Sequence, residues 1–192
     1  INFAKEFNYT IKLLTIAKKV GMEVELRVHP VFISKDEMIA KVDGVMNGVS
    51  VIGDKVGETM YYGPGAGGDA TASAVIANII DIARRGKGSP MLGYQKPLES
   101  NFTLASSDSI ETKYYLRLEV EDKCGVLSQI ASILGEKNIS IETMNQKPLN
   151  NESANLLLST HLCKEVDIKA ALKDLENEKA VKTKPVMIRI DS

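Results

Sequence analysis

The order of hydrophobic patterns in the second half of the chain restricts the fold more than any other feature of the sequence. Stretches of alternating or continuous apolar residues predict four strands, at 114–120, 139–144, 155–162 and 182–190. Apolar residues at helical spacing predict two helices, at 126–137 and 167–177. The resulting order along the chain is β-α-β-β-α-β.

This order predicts a ferredoxin-like α+β fold, in which both helices pack on one face of an antiparallel sheet. The opposite face of such a sheet is exposed unless a partner covers it. We therefore expect a partner chain to cover this face.

The first half also mixes strands and helices. Residues 10–20 and 23–33 predict a hairpin around Gly21-Met22, although residues 6–19 also fit a helical period. A short helix is predicted at 36–42, and two more strands, 47–52 and 55–62, flank the turn Gly53-Asp54. The clearest helix is 70–85, whose apolar residues lie on one stripe: Ala72, Val75, Ile76, Ile79, Ile80 and Ala83.

Residues 87–113 separate the two halves. This stretch is rich in Gly, Pro and Ser and has no hydrophobic period, which is typical of a linker that runs over the surface. We therefore predict three segments: 1–86, a linker at 87–113, and a second domain at 114–192.

Composition excludes several classes of protein. The 24 Lys and Arg residues nearly balance the 25 Asp and Glu residues, so nothing indicates a nucleic-acid partner. No apolar run is long enough to span a bilayer, and the two cysteines are too few for a disulfide framework, so we expect a cytoplasmic protein without a membrane partner. The chain begins with Ile1 rather than Met, which suggests a fragment.

A glycine-rich turn precedes the helix at 70–85. It reads Tyr-Gly-Pro-Gly-Ala-Gly-Gly-Asp at 62–69 and contains Gly63, Gly65 and Gly67. Glycines let the backbone approach a ligand, and free amides at a helix start favour an anion or a polar group. The turn does not follow the first strand of a dinucleotide-binding fold, and it lacks the Lys of a P-loop. Spacing alone favours a tight turn that only packs the helix against its sheet.

A second turn, at 122–128, joins the first strand and the first helix of the second half. Gly125 permits an unusual backbone torsion, and the amides that follow it point away from the helix start. A zwitterion could place its carboxylate there and its ammonium near Asp122. From spacing alone, a plain strand–helix turn with Asp122 as a cap is the simpler interpretation.

The sequence assembles no catalytic centre. His29 and His161 are far apart along the chain, and Cys124 has no His nearby to activate it. The cysteines and histidines do not form a clustered ligand set, so no metal site is expected.

Several motifs together resemble the homoserine dehydrogenase family. The first half carries Ile-Lys-Leu-Leu at 11–14, Val-His-Pro at 28–30, Asn-Gly-Val-Ser-Val-Ile-Gly-Asp at 47–54 and the run from Tyr62 to Val75. It resembles the C-terminal part of that family's catalytic region, at the end of its substrate-binding and dimerisation domain. Residues 121–141 resemble an ACT domain, the small regulatory module appended to many bacterial members.

The resemblance implies NADPH- or NADH-dependent reduction of L-aspartate 4-semialdehyde to L-homoserine, in threonine and methionine biosynthesis, by the parent protein. The dinucleotide fingerprint and the catalytic Lys are not found in 1–192, so this fragment is expected to be inactive and to hold no cofactor by itself. Of the family's functional positions, the resemblance carries over Gly63, Gly65 and Gly67 as cofactor-binding residues. Gly67 is the best candidate for a contact with the nicotinamide.

The ACT resemblance implies allosteric control by an amino acid, with threonine as the natural effector, and a homo-oligomer that is at least a dimer. Its candidate binding residues are these: Asp122, Gly125, Val126, Leu127, Ile139 and Ile141. Cys124 stands where the family usually has proline, which loosens the turn but keeps Gly125. An alternative is a free-standing amino-acid-binding regulatory protein without catalysis; an aspartokinase fragment fits only the second half.

Overall fold

The computed structural model describes residue 4 and residues 7–85 and 101–191. The chain forms two compact units, one that joins Ile1–Ser34 with Phe102–Ser192 and another that comprises Lys35–Asn101. This division differs from the three segments expected from the sequence, because the N-terminal hairpin pairs with the sheet of the second half. The segments at 1–86, 87–113 and 114–192 remain a prediction about the modules of the chain.

The first unit consists of one sheet and two helices. Its elements are β1 (Tyr9–Val20), β2 (Glu23–Ser34), β5 (Thr103–Leu104), β6 (Glu111–Glu121), α2 (Val126–Glu136), β7 (Ile141–Pro148), β8 (Ser153–Thr160), β9 (Cys163–Lys164), α3 (Glu165–Asn177) and β10 (Val186–Ile190). The second unit contains β3 (Met46–Gly53), β4 (Gly57–Pro64) and α1 (Gly68–Arg85).

The ferredoxin-like expectation for the second half is confirmed. The strands lie in the order β10-β6-β8-β7, and each neighbouring pair is antiparallel. The hairpin β1–β2 then extends this sheet, because β2 pairs in parallel with β10 through Val31 opposite Arg189 and Phe32 opposite Ile190. The competing helical interpretation of residues 6–19 is wrong, since β1 pairs with β2 over its entire length.

The main core lies between the sheet and the two helices α2 and α3. Six of its large side chains are completely shielded from solvent: Leu116, Leu118, Ile130, Leu134, Ile168 and Leu175. Each such residue contributes roughly 1.5–3 kcal/mol on burial. The helical spacing in the sequence therefore identified the faces that pack together.

The opposite face of the sheet is partly covered by the chain itself. Ala4, Phe32, Tyr115, Leu157 and Ile190 form a second buried cluster there, and the rings of Phe32 and Tyr115 are 4.8 Å apart between centroids. This corrects the expectation that only a partner could cover this face. Further along the hairpin, the same face carries exposed apolar side chains: Leu13, Leu26 and Val28.

A buried carboxylate ties α3 to two strands. Glu165 is 1% exposed and accepts a hydrogen bond from the Tyr114 hydroxyl at 2.6 Å. Arg189 on β10 holds both of its carboxylate oxygens. Burial by itself raises the pKa of a carboxyl, but the bonds from Arg189 and Tyr114 lower the pKa of Glu165 below its usual value.

In the second unit, β3 and β4 form an antiparallel hairpin that closes where Gly53 faces Gly57. A single 3₁₀ turn, Ile39–Lys41, replaces the short helix predicted at 36–42. Helix α1 confirms the helix predicted at 70–85. Its apolar stripe is exposed, with Val75 at 51% and Ile79 at 60%.

Of the linker predicted at 87–113, the structure describes only residues 101–113. There, β5 pairs in parallel with β2, and β6 already begins at Glu111. Residues 86–100 lie outside the described part of the chain. Within residues 7–85 and 101–191, no helix has both the length and the apolar character needed to cross a bilayer.

Candidate functional site

The glycine-rich turn connects β4 to α1 and is held close to the β3–β4 hairpin. Gly63 lies within β4 opposite Asn47, and the Gly65 amide donates a hydrogen bond to the Val45 carbonyl at 2.8 Å. A Cβ at Gly65 would overlap the side-chain amide of Asn47. A side chain at position 65 would therefore displace the side-chain amide of Asn47.

Gly67 needs glycine for a different reason. Its φ of +120° lies in the region that L-residues with side chains avoid. The Gly67 carbonyl accepts hydrogen bonds from both the amide and the hydroxyl of Thr71, at 3.1 and 2.9 Å, which fixes the start of α1. Among the described residues, nothing lies within 4 Å of the place where a Cβ would be, so this side of the Gly67 backbone is uncovered there.

A cavity of about 210 Å³ lies at the second turn, where β6 leads into α2. Gly125 stands at this point with a φ of +90°, and no side chain caps the N-terminus of α2. The free amides of the first helical turn are therefore left to the cavity. The lining residues are Val120, Glu121, Lys123, Cys124, Gly125, Val126, Leu127, Gln146 and Leu156.

Three of the predicted effector residues, Gly125, Val126 and Leu127, line this cavity together. Asp122 is not among the lining residues but contacts one of them, Gln146. The Asp122 amide donates to the Glu152 carbonyl at 3.0 Å, and its Oδ1 accepts from Nε2 of Gln146, also at 3.0 Å.

Sequence reasoning missed Gln146. The sequence predicts that this strand ends at Met144, whereas β7 continues to Pro148 and places Gln146 directly opposite Leu156. Extending the alternation by two residues places Gln146 on the same face as Met144. Side-chain alternation was therefore the signal that could have identified it.

Ile139 and Ile141, the two other predicted effector residues, lie elsewhere. Ile139 is 3% exposed and belongs to the main core, against which Ile141 also packs. Neither lines the cavity at Gly125. A part for them in effector binding remains a prediction.

Charge at the mouth of this cavity comes from one exposed ion pair. Lys123 Nζ lies 2.8 Å from Oε2 of Glu121. The hydrogen bond from Lys123 lowers the pKa of the Glu121 carboxyl, and the same bond raises the pKa of the lysine. The cavity thus offers a cation, a helix N-terminus and an amide side chain that is fixed by a carboxylate.

No catalytic group accompanies either turn in the described part of the chain. Across residues 7–85 and 101–191, no three His, Cys, Asp or Glu side chains are grouped so that they could hold a metal ion. Cys124 is exposed and Cys163 is buried, and both are free thiols.

Comparison with protein families identifies two modules. Residues 1–80 match the model of the homoserine dehydrogenase family, and residues 114–180 match that of the ACT domain.

Curated relatives match along the entire chain. The homoserine dehydrogenase of Helicobacter pylori is 52% identical over 100% of this chain and 45% of its own length. The enzyme of the same name from Neisseria gonorrhoeae is 43% identical over 100% of this chain and 46% of its own length. The chain thus spans about half the length of the curated relatives it matches.

A solved structure has the same fold as this chain. A homoserine dehydrogenase from Thiobacillus denitrificans superposes with a TM-score of 0.85 at 38% identity, over 100% of this chain and 44% of that one. The mixed α+β architecture and the ACT-type sheet described above are thus those of this family. The chain belongs to the homoserine dehydrogenase family and corresponds to the C-terminal portion of its members, a homoserine dehydrogenase segment followed by an ACT domain.

Proposed function

We propose that the protein containing this chain reduces L-aspartate 4-semialdehyde to L-homoserine with NADPH or NADH, on the route to threonine and methionine. The observation that carries this proposal is the match of the whole chain to relatives named homoserine dehydrogenase, at up to 52% identity. The bound nicotinamide would supply the hydride. A cytoplasmic location is part of the same proposal and rests on the low cysteine content.

The glycine turn is the part of this chain that fits a cofactor. The open Gly67 backbone admits a flat ring, while Gly65 keeps the turn close to Asn47 and Val45. We propose that this turn positions the nicotinamide and keeps side chains away from it. Residues 1–192 alone are expected to be inactive, because hydride transfer needs cofactor and substrate held in register.

The test compares the full-length protein with residues 1–192. NADPH oxidation, followed at 340 nm with aspartate semialdehyde, is expected for the full-length protein and not for the shorter one. In the full-length protein, Gly67→Val is expected to raise KM for NADPH at least tenfold, and Gly135→Ala, in α2 of the other unit, to leave it nearly unchanged. Absence of turnover in the full-length protein, or equal KM values for both variants, would contradict the proposal.

We also propose that the cavity at Gly125 senses threonine. The open N-terminus of α2 favours the carboxylate of an amino acid, and Gln146, which lines the cavity and is held by Asp122, provides a polar partner for its ammonium or its hydroxyl. The small volume fits a short side chain.

Calorimetric titration of residues 1–192 with threonine tests this site, with serine, homoserine, methionine and lysine for comparison. Saturable threonine binding is expected, with a large loss in Gly125→Ala, because alanine is strained at a φ of +90°. Gly135→Ala is the matched control, since nothing lies within 4 Å of its Cβ position and its φ is not positive. Equal affinity in both variants would place threonine elsewhere.

A homo-oligomer, at least a dimer, is also proposed. Its support is the exposed apolar surface on the hairpin and on α1, because large exposed patches of this kind commonly mark interfaces. Small-angle scattering of the full-length protein tests it, and a strictly monomeric mass would contradict it.

A further inference from the structure

A second cavity lies on the face of the sheet that is turned away from the helices. Its volume is about 270 Å³, near the lower limit of ordinary small-molecule pockets. Four aromatic side chains line it: Phe7, Tyr9, Phe32 and Tyr115. The cavity at Gly125, in contrast, includes Val120 and Leu156, which belong to the core under the helices. The two cavities therefore open on opposite sides of the sheet.

An irregularity in β7 shapes the polar side of this cavity. Ile141 faces Thr160 and Thr143 faces Ser159, so Glu142 is an extra residue in the ladder. In a regular strand, consecutive side chains point to opposite faces, yet Glu142 and Thr143 both line the cavity. A β-bulge redirects side chains in this way and is common next to binding sites.

The bulge brings two polar pairs to the aromatic wall. Glu142 Oε1 lies 2.7 Å from Nζ of Lys113, and the side chains are 34% and 29% exposed, so solvent reaches both charges. The hydroxyls of Thr143 and Ser159 are 2.6 Å apart. One cavity thus combines an anion, a cation, two hydroxyls and an apolar wall.

We propose that this cavity is a second small-molecule site, which takes an α-amino acid with an apolar side chain. The ammonium of the ligand binds Glu142, its carboxylate binds Lys113, and its side chain lies against Phe32 and Tyr115. A zwitterion replaces the existing contact between Glu142 and Lys113 with one ligand group for each charge, whereas a ligand with one charge can pair with only one of the two. The site is independent of the threonine cavity and of the proposed dehydrogenase activity.

The test is a titration of isotope-labelled residues 1–192 with L-leucine, L-methionine and L-phenylalanine, followed by amide chemical shifts. Saturable shifts are expected at Thr143, Ser159 and Tyr115 for at least one of them. For leucine, 4-methylpentanoate lacks the ammonium and 3-methylbutylamine lacks the carboxylate. Each is expected to bind at least tenfold more weakly than the amino acid.

Glu142→Gln keeps the shape of the side chain and removes its charge, and it is expected to weaken binding at least tenfold. Asp174→Asn is the matched control, because it breaks another half-exposed ion pair, with Lys137 at 2.8 Å, on the helical side. That variant should bind as the wild type does. No saturable binding up to about 10 mM, shifts confined to residues 123–127, or unchanged affinity in Glu142→Gln would each overturn the proposal.

Discussion

At the residue scale, the Glu165 carboxylate joins three elements that are distant along the chain. It begins α3 and is held by Tyr114 of β6 and Arg189 of β10. Glu165→Gln keeps the shape but loses the charge, and we expect it to lower the free energy of unfolding by about 1.5–3 kcal/mol at pH 7. Urea unfolding of residues 1–192 measures this free energy. Asp174→Asn, in a more exposed ion pair, is the control and is expected to change the free energy of unfolding by less than about 1 kcal/mol.

The same carboxylate makes stability depend on pH. The folded state lowers the pKa of Glu165, so its contribution is fully present above the pKa of the unfolded chain and is lost as the pH falls through the folded value. The difference between wild type and Glu165→Gln should therefore shrink as the pH falls from about 5 towards about 3. A difference that stays constant over this range would show that the charge of Glu165 is not what stabilises the protein.

At the scale of single elements, two glycines should respond in opposite directions to the same substitution. Gly21 turns the β1–β2 hairpin with a φ of +61°, and Gly135 lies in α2 with open space around its Cβ position. Gly21→Ala is expected to destabilise the chain by about 1–2 kcal/mol, and Gly135→Ala to stabilise it by about 0.5 kcal/mol. Urea unfolding measures the change in the free energy of unfolding for each variant. Two changes of the same sign would contradict the expectation.

Elements with a strong local pattern could be predicted from the sequence, and those that depend on distant partners could not. Helix α1 and the order of elements from β6 to β10, apart from the two-residue strand β9, followed from periodicity. The pairing of β2 with β10 carries no local signal, since residues 31 and 189 meet only in the folded sheet. The bulge at Glu142 carries no local signal for the same reason, whereas the alternation of side chains could have extended β7 to Gln146. One cavity was therefore found in part and the other was missed.

At the scale of the whole molecule, the ACT-type sheet includes strands from the homoserine dehydrogenase segment. Removal of residues 1–34 uncovers the β10 edge and takes Phe32 from its cluster with Tyr115. Residues 102–192 alone are therefore expected to unfold at a lower urea concentration than residues 1–192. The amide hydrogens of β10 are expected to exchange faster in the shorter chain. Hydrogen exchange measures this, and equal protection of β10 in both proteins would show that the predicted domain at 114–192 is self-sufficient.

The parallel contact between β2 and β10 also limits how such a protein can be rearranged during evolution. A regulatory module joined only by a flexible tether can be lost, duplicated or exchanged without any change in the rest of the chain. Here Val31 and Phe32 supply backbone partners to Arg189 and Ile190, so the two modules share a hydrogen-bonded border. A chain without the ACT domain would expose the edge of β2 at Val31 and Phe32, so the homoserine dehydrogenase segment needs another partner strand before the ACT domain can be exchanged.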